Sequence, residues 1–152
     1  MSRRDRIQLS ASEQRAFLES SRTIILSTID RAGYPHSVAM WYHLDGEAVV
    51  MTTYAKSQKA LNIRRNPKVC LLVESGHTYD TLKGVLIRGR AQLIRDVDAC
   101  VGVLMRVHEK MCGSFPTGVE EALRAQAQKR VVIRVTPERV SSWDHSKLGG
   151  TY

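Results

Sequence analysis

Thr23-Ile24-Ile25-Leu26-Ser27-Thr28-Ile29, Asp30-Arg31-Ala32-Gly33, the run from Pro35 to about His43, Leu44-Asp45-Gly46 and Ala48-Val49-Val50-Met51-Thr52-Thr53 follow one another without a linker. The first and last runs are rich in β-branched residues and read as buried strands. The Asp30–Gly33 and Leu44–Gly46 segments carry turn chemistry. The stretch therefore predicts three strands in about 30 residues, arranged as a meander.

Working outward, Ser10-Ala11-Ser12-Glu13 has the spacing of a capping box and opens a short polar helix through about Glu19. After Thr53, the segment Lys56 to Arg65 predicts a helix closed by Asn66-Pro67. Lys68 to Glu74 alternates as a strand. Leu82 to Arg95 is a long strand interrupted by Gly84 and Gly89, which mark bends or bulges. Asp96 to Met111 has helical spacing at Val101, Leu104, Met105 and His108, and Val119 to Gln128 is a further helix after the Gly113–Gly118 loop. Val131 to Val135 and Arg139 to Trp143 close the chain as two strands. Six or seven strands with short turns and helices at the margins predict one α+β domain over residues 1–152, mainly β: a small antiparallel barrel with flanking helices.

Composition limits what such a domain can do. The 152 residues are 43% hydrophobic and 25% charged, enough for a substantial core without disulfides. Cys70, Cys100 and Cys112 show no metal-ligand spacing, which predicts buried or half-buried thiols in a reducing compartment. The five histidines lack an HExxH pattern, so no catalytic metal is expected. No apolar run spans a bilayer, and no apolar stretch follows the basic N-terminus directly; the expectation is a cytoplasmic protein without a membrane partner. The net charge of +8 calls for an anionic partner. No helix-turn-helix or RNA-binding aromatic signature accompanies it, so nucleic acid is not expected.

Three clusters carry candidate chemistry. Thr52-Thr53-Tyr54-Ala55-Lys56-Ser57-Gln58-Lys59 runs a strand into a helix N-terminus, with Ser57 placed to cap or to donate to an anion and Lys56 and Lys59 on one helix face. This spacing fits either a phosphate site or a capped surface helix with solvated lysines. Met40-Trp41-Tyr42 offers either a slot for a planar ring or ordinary core packing. The tail Trp143-Asp144-His145-Ser146-Lys147-Leu148 either frays in solvent or folds over a pocket.

Taken in order, Asp30-Arg31-Ala32-Gly33-Tyr34-Pro35, Trp41, Asp45-Gly46, Thr52-Thr53, Ser57-x-Lys59-x-x-Asn62-Ile63-x-Arg65-Asn66-Pro67, Thr78-Tyr79-Asp80-Thr81-Leu82-Lys83-Gly84, Gly89-Arg90-Ala91 and Trp143-Asp144-x-x-Lys147-Leu148 resemble the split β-barrel superfamily of pyridoxamine 5'-phosphate oxidase-like proteins. The resemblance covers nearly the whole chain and implies an FMN-binding split-barrel fold, a six- to seven-stranded antiparallel barrel. Ser37 and Tyr42 stand where the FMN-dependent oxidases carry Arg and Lys, and the Tyr79–Gly84 and Trp143–Leu148 segments are more similar to the B-type oxidoreductases that use the deazaflavin coenzyme F420. The resemblance thus implies hydride transfer from reduced F420 to a conjugated organic substrate. Its alternatives are an FMN-dependent reductase or oxidase and a non-catalytic cofactor or tetrapyrrole carrier. It assigns Thr52, Thr53, Ser57 and Lys59 to the cofactor phosphate, with Lys56 nearby, and Met40, Trp41 and Tyr42 to the ring. It assigns His145 and Lys147 to the segment closing over the site, and it implies a homodimer with sites at the subunit interface. The proton donor is unassigned, with His145, Tyr42 and Lys147 as candidates.

Overall fold

A computed structural model describes residues 2–150. Its elements are α1 (Arg3–Arg6), α2 (Ala11–Ser20), β1 (Thr23–Ile29), β2 (Pro35–Trp41), β3 (His43–Asp45), β4 (Ala48–Tyr54), α3 (Gln58–Arg65), β5 (Lys68–Ser75), β6 (Lys83–Ile94), α4 (Val97–Cys112), α5 (Val119–Ala127) and β7 (Arg130–Asp144). A single turn of 3₁₀ helix precedes β6 and another, His145–Leu148, ends the described chain. No helix among the described residues is long and apolar enough to cross a membrane.

The seven strands form one antiparallel sheet in the order β2-β1-β5-β6-β7-β4-β3. β2 and β3 are its opposite edges, yet only Tyr42 separates them in sequence. Two Cα steps of about 3.8 Å are all the chain has to cross from one edge to the other. The sheet must therefore curl until its edges nearly meet, and no ladder joins β2 to β3 among the described residues. That is a split barrel with flanking helices, as the sequence predicts.

The predicted meander does not form. The strand expected from Pro35 to His43 breaks at Tyr42, and Ala48–Tyr54 pairs with β3 and β7 rather than with β2. Tyr42 explains the break: it is fully buried in the barrel core, its hydroxyl donating to the Leu18 carbonyl at 2.5 Å, so the chain dives inward there. The two predicted closing strands are one 15-residue strand, β7. Its pairing with β6 slips at Arg88/Gly89, where Arg88 faces Arg139 but Gly89 faces Pro137. The bulge absorbs Glu138 and lets the strand pass Pro137 without a break. Cys112 is exposed at the end of α4, contrary to the expectation of three sheltered thiols.

Alternation builds the core. Ile24 and Leu26 of β1, Val49 and Met51 of β4, Leu71 and Val73 of β5, Val85 and Ile87 of β6, and Ile133 and Val135 of β7 point into the barrel. The opposite face of β4 and β7 supplies Ala48, Val50 and Val132 to a second cluster with Cys100 and Val101 of α4 and Ala127 of α5. β4 is thus buried on both faces, which is why its sequence reads as a continuous apolar run.

α3 is fastened to β1 by the fully buried Asn62. Its Nδ2 donates to Thr28 Oγ1 at 3.0 Å, and its Oδ1 accepts from Gln58 Nε2 at 2.7 Å and Arg65 Nη2 at 3.0 Å. Replacing Asn62 by Ala leaves the buried Thr28 hydroxyl without its donor and removes a fully buried, fully bonded amide, a cost of about 1–3 kcal/mol. The expected result is a lower denaturant midpoint at an unchanged slope, measured by equilibrium unfolding.

Lys110 lies across the barrel seam, its ammonium 3.7 Å from the Tyr42 ring centroid and 3.2 Å from the Leu18 carbonyl it donates to. Burial pushes the Lys110 ammonium down to about 8, against a smaller opposing pull from Glu19. Between pH 8 and the ordinary lysine value of about 10.4, the unfolded chain then binds more protons than the folded one, so this group makes stability rise with pH. Unfolding midpoints at pH 7.5 and 9.5 are expected to show a larger upward increment in the wild type than in Lys110→Met.

Candidate functional site

The end of β4 divides its residues between two faces. Thr53, like Val49 and Met51, points inward and is buried; its hydroxyl donates to Ser57 Oγ at 3.1 Å. Ser57 is the N-cap of α3, accepting from the Ala60 N–H at 3.3 Å. Having accepted from two donors, Ser57 still has its own hydroxyl proton to give. Thr53 thus positions the cap rather than presenting a hydroxyl to the surface. Lys56 is exposed in the turn ahead of the cap.

Thr52 points the other way, towards α4 and α5, and β7 delivers Arg130 beside it: Tyr54 and Arg130 are paired across the two strands, and Arg130 Nη1 donates to Thr52 Oγ1 at 3.4 Å. The guanidinium also lies 4.5 Å from the Tyr54 ring centroid. Arg130 Nε is buried without a hydrogen-bond partner, and among the described residues no carboxylate pairs with this arginine. Burial, together with the Arg130 charge, pushes the Lys59 ammonium below the ordinary lysine value. Two cations drawn together with no acid between them, beside a helix N-terminus, form a site for an anion.

From Arg130 a cleft of about 470 Å³ extends under the end of β2. Ala39, Met40 and Trp41 line one side; Leu104 and His108 of α4 and Leu123 and Gln126 of α5 line the other. Trp41 is 54% exposed, a large aromatic surface left uncovered at the mouth. A slot with apolar walls, one cationic anchor and few other polar groups suits a planar ring carrying a negatively charged tail. No group of three or more His, Cys, Asp or Glu side chains gathers to hold a metal among the described residues.

The structure therefore brings Met40, Trp41 and Thr52 together in one cleft, with Lys59 near its Arg130 end. Tyr42 does not join them: its ring is core and its hydroxyl is spent on Leu18, because the chain must turn inward at the barrel seam. His145 and Lys147 do not join them within one chain either. They follow the far end of β7, 14 residues from Arg130, a contour of about 45 Å along the strand. His145 Nδ1 is 2.8 Å from the Tyr79 carbonyl, and Lys147 donates to the Gln8 carbonyl at 2.9 Å and to Glu13 at 2.8 Å. That contact, with the Ser10 N–H, brings the Glu13 carboxyl down to about 2. The tail folds back on the N-terminal segment of its own chain.

Sequence reasoning missed Arg130, His108 and Gln126. His108 stood in a helical pattern read for packing, and Arg130 fell one residue before the predicted strand. Only the β4–β7 pairing, made across more than 70 residues, puts that arginine beside Thr52.

Comparison with known proteins bears on this geometry. The conserved hypothetical protein Rv2991 from Mycobacterium tuberculosis matches 100% of this chain and 95% of its own at 39% identity, with a TM-score of 0.91. An F420 reductase matches at 26% identity over 83% of this chain and 94% of its own, with a TM-score of 0.68. HutZ, the heme storage protein from Vibrio cholerae, shares the fold at 19% identity, covering 87% of this chain and 94% of its own with a TM-score of 0.68. No functionally curated protein matches. The family model described as pyridoxamine 5'-phosphate oxidase matches residues 10–144. With that match spanning all seven strands and the cleft they frame, the chain belongs to the pyridoxamine 5'-phosphate oxidase family.

Proposed function

We propose that this chain is an oxidoreductase that binds the deazaflavin coenzyme F420 and reduces a conjugated organic acceptor. The observation that carries the reading is Arg130: a half-buried guanidinium with an unpartnered Nε, next to Lys59, at the head of a cleft walled by Met40 and Trp41. These residues fit a phosphate-bearing aromatic cofactor. Arg130, Lys59 and the Ser57 hydroxyl would hold the phosphate, while the β2 segment Ala39–Trp41 would flank the ring. Two points favour the deazaflavin over FMN. Similarity to an F420 reductase extends over most of both chains. Ser37, at one of the two positions where FMN-dependent oxidases carry a cation, is exposed and bonded to Ser27, and Tyr42, at the other, is sealed in the core.

Bound in its reduced form, the cofactor supplies a hydride. The protein's share is to fix the ring against β2, neutralise the phosphate and keep a largely apolar slot for the acceptor. We further propose a homodimer, in which the tail residues His145 and Lys147, remote from the cleft of their own chain, lie near the partner's cleft. The experiment is anaerobic mixing of the protein with reduced F420 and a quinone such as menadione. Recovery of the oxidised cofactor's absorbance at a rate proportional to protein is the expected result. Tight cofactor binding without reduction of quinone, enone or tetrapyrrole acceptors would instead make the protein a carrier. Sedimentation velocity tests the dimer, and a monomer at micromolar concentration would contradict it.

A further inference from the structure

We propose that His108 is the proton donor to the acceptor, an assignment that rests on the cofactor reading above. Hydride delivery to a conjugated acceptor leaves a negative charge that a proton must quench. Tyr42 is core, and within one chain His145 and Lys147 lie beyond the far end of β7 with their side chains already engaged, His145 with the Tyr79 carbonyl and Lys147 with the Gln8 carbonyl and Glu13. Among the polar residues lining the cleft, Thr52 and Gln126 carry a hydroxyl and an amide and Arg130 a guanidinium, so the His108 imidazole is the side chain there whose chemistry suits giving up and regaining a proton. Arg130 is also the charged group that faces it from the other elements around the cleft.

The fold places this imidazole with some care. His108 follows the buried Val107 and lies one helical turn after Leu104, which lines the same wall. Its ring stacks on Phe115 at 5.0 Å between centroids and 25° between planes, which fixes its plane. Neither ring nitrogen has a hydrogen-bond partner among the described residues, so an N–H is available to a ligand.

The step balances as follows. Hydride adds with its electron pair to the electrophilic carbon of the acceptor, and the displaced π pair moves to the conjugated oxygen or carbon. The N–H of protonated His108 gives its proton to that atom, leaving neutral imidazole. Solvent returns a proton to the ring, so the acceptor gains two electrons and two hydrogens; the reduced deazaflavin would give up one hydride, which carries both electrons, and one proton to solvent, which offsets the proton that reloads the imidazole.

The test compares wild type with His108→Gln and His108→Ala, using F420 and menadione as probes. Fluorescence titration should give cofactor affinities within about twofold for all three proteins. The first-order rate with saturating reduced cofactor should fall about 100-fold or more in both variants, with KM for menadione changed less than about threefold. Its high-pH decline should vanish in His108→Gln, and added imidazole should restore part of the rate in His108→Ala. A readout independent of turnover is carbethoxylation of the wild type by diethyl pyrocarbonate, followed by peptide mass. Bound F420 and menadione should slow modification of His108 several-fold and leave the exposed His77 unaffected. Wild-type rates and pH profile in His108→Gln with intact binding would overturn the donor assignment alone, as would loss of cofactor affinity in that variant. Failure of the wild type to bind F420 would overturn the cofactor reading and this assignment with it.

Discussion

Gly84→Ala is expected to destabilise the protein by about 1–3 kcal/mol, the range for forcing atoms into a packed site. Gly84 is paired with Trp143 across β6 and β7, and the six-membered ring of the indole occupies the space a side chain at 84 would need. A Cβ built on Gly84 falls 2.2 Å from Trp143 Cζ2 and 2.5 Å from Cε2, far inside van der Waals contact. The backbone beside the ring is held, because the next residue, Asp144, is buried, caps the terminal 3₁₀ turn and pairs with Lys83 at 3.4 Å, so relief must come from rotation of the indole itself. Urea unfolding of Gly84→Ala, Trp143→Ala and the double variant forms the check. The alanine at position 84 should cost markedly less in the Trp143→Ala background, where its clash partner is gone. An equal cost in both backgrounds would mean that the indole is not what holds position 84 to glycine.

The second large effect is expected on ligand binding. Arg130→Gln keeps a polar side chain but removes the charge, and a charge-assisted contact to phosphate contributes about 1.5–3 kcal/mol. Cofactor affinity should therefore fall roughly 10- to 100-fold. Lys59→Ala should cost a similar factor, and the double variant less than the product of the two, because each cation raises the cost of burying the other. Fold stability is expected to change little in Arg130→Gln, since the hydrogen bond to Thr52 is long at 3.4 Å and the Tyr54 ring it covers is exposed. Isothermal titration of the variants with F420 reads the first effect and thermal melting the second. Wild-type affinity in Arg130→Gln would move the anion site elsewhere.

Local signals in this sequence were legible where local chemistry decides. Ser10 and Ser57 cap their helices, Thr23–Ile29 is a strand over its predicted length, and Gly89 sits at a bulge. What could not be read from local pattern is what depends on closure of the barrel. The break at Tyr42 looks like strand continuation, because an aromatic residue after Trp41 keeps the alternation; only the meeting of two sheet edges requires the chain to turn in there. The same holds for the site. Thr52, Met40 and Trp41 were recognisable from residue type and resemblance, but β7 is needed to bring Arg130 and α4 to bring His108. The tail residues were read as neighbours of the site. Within one chain their side chains tie the C-terminal turn to α2 and to the Tyr79 turn, through contacts that no spacing rule describes.

The most direct test of the account is a side-by-side equilibrium titration of cofactor-free protein with F420 and FMN, followed by fluorescence. The account predicts saturable F420 binding at micromolar or lower concentration, at least about tenfold tighter than FMN, and weakened by Arg130→Gln by the factor argued above. Tighter binding of FMN, or binding of neither, would contradict it.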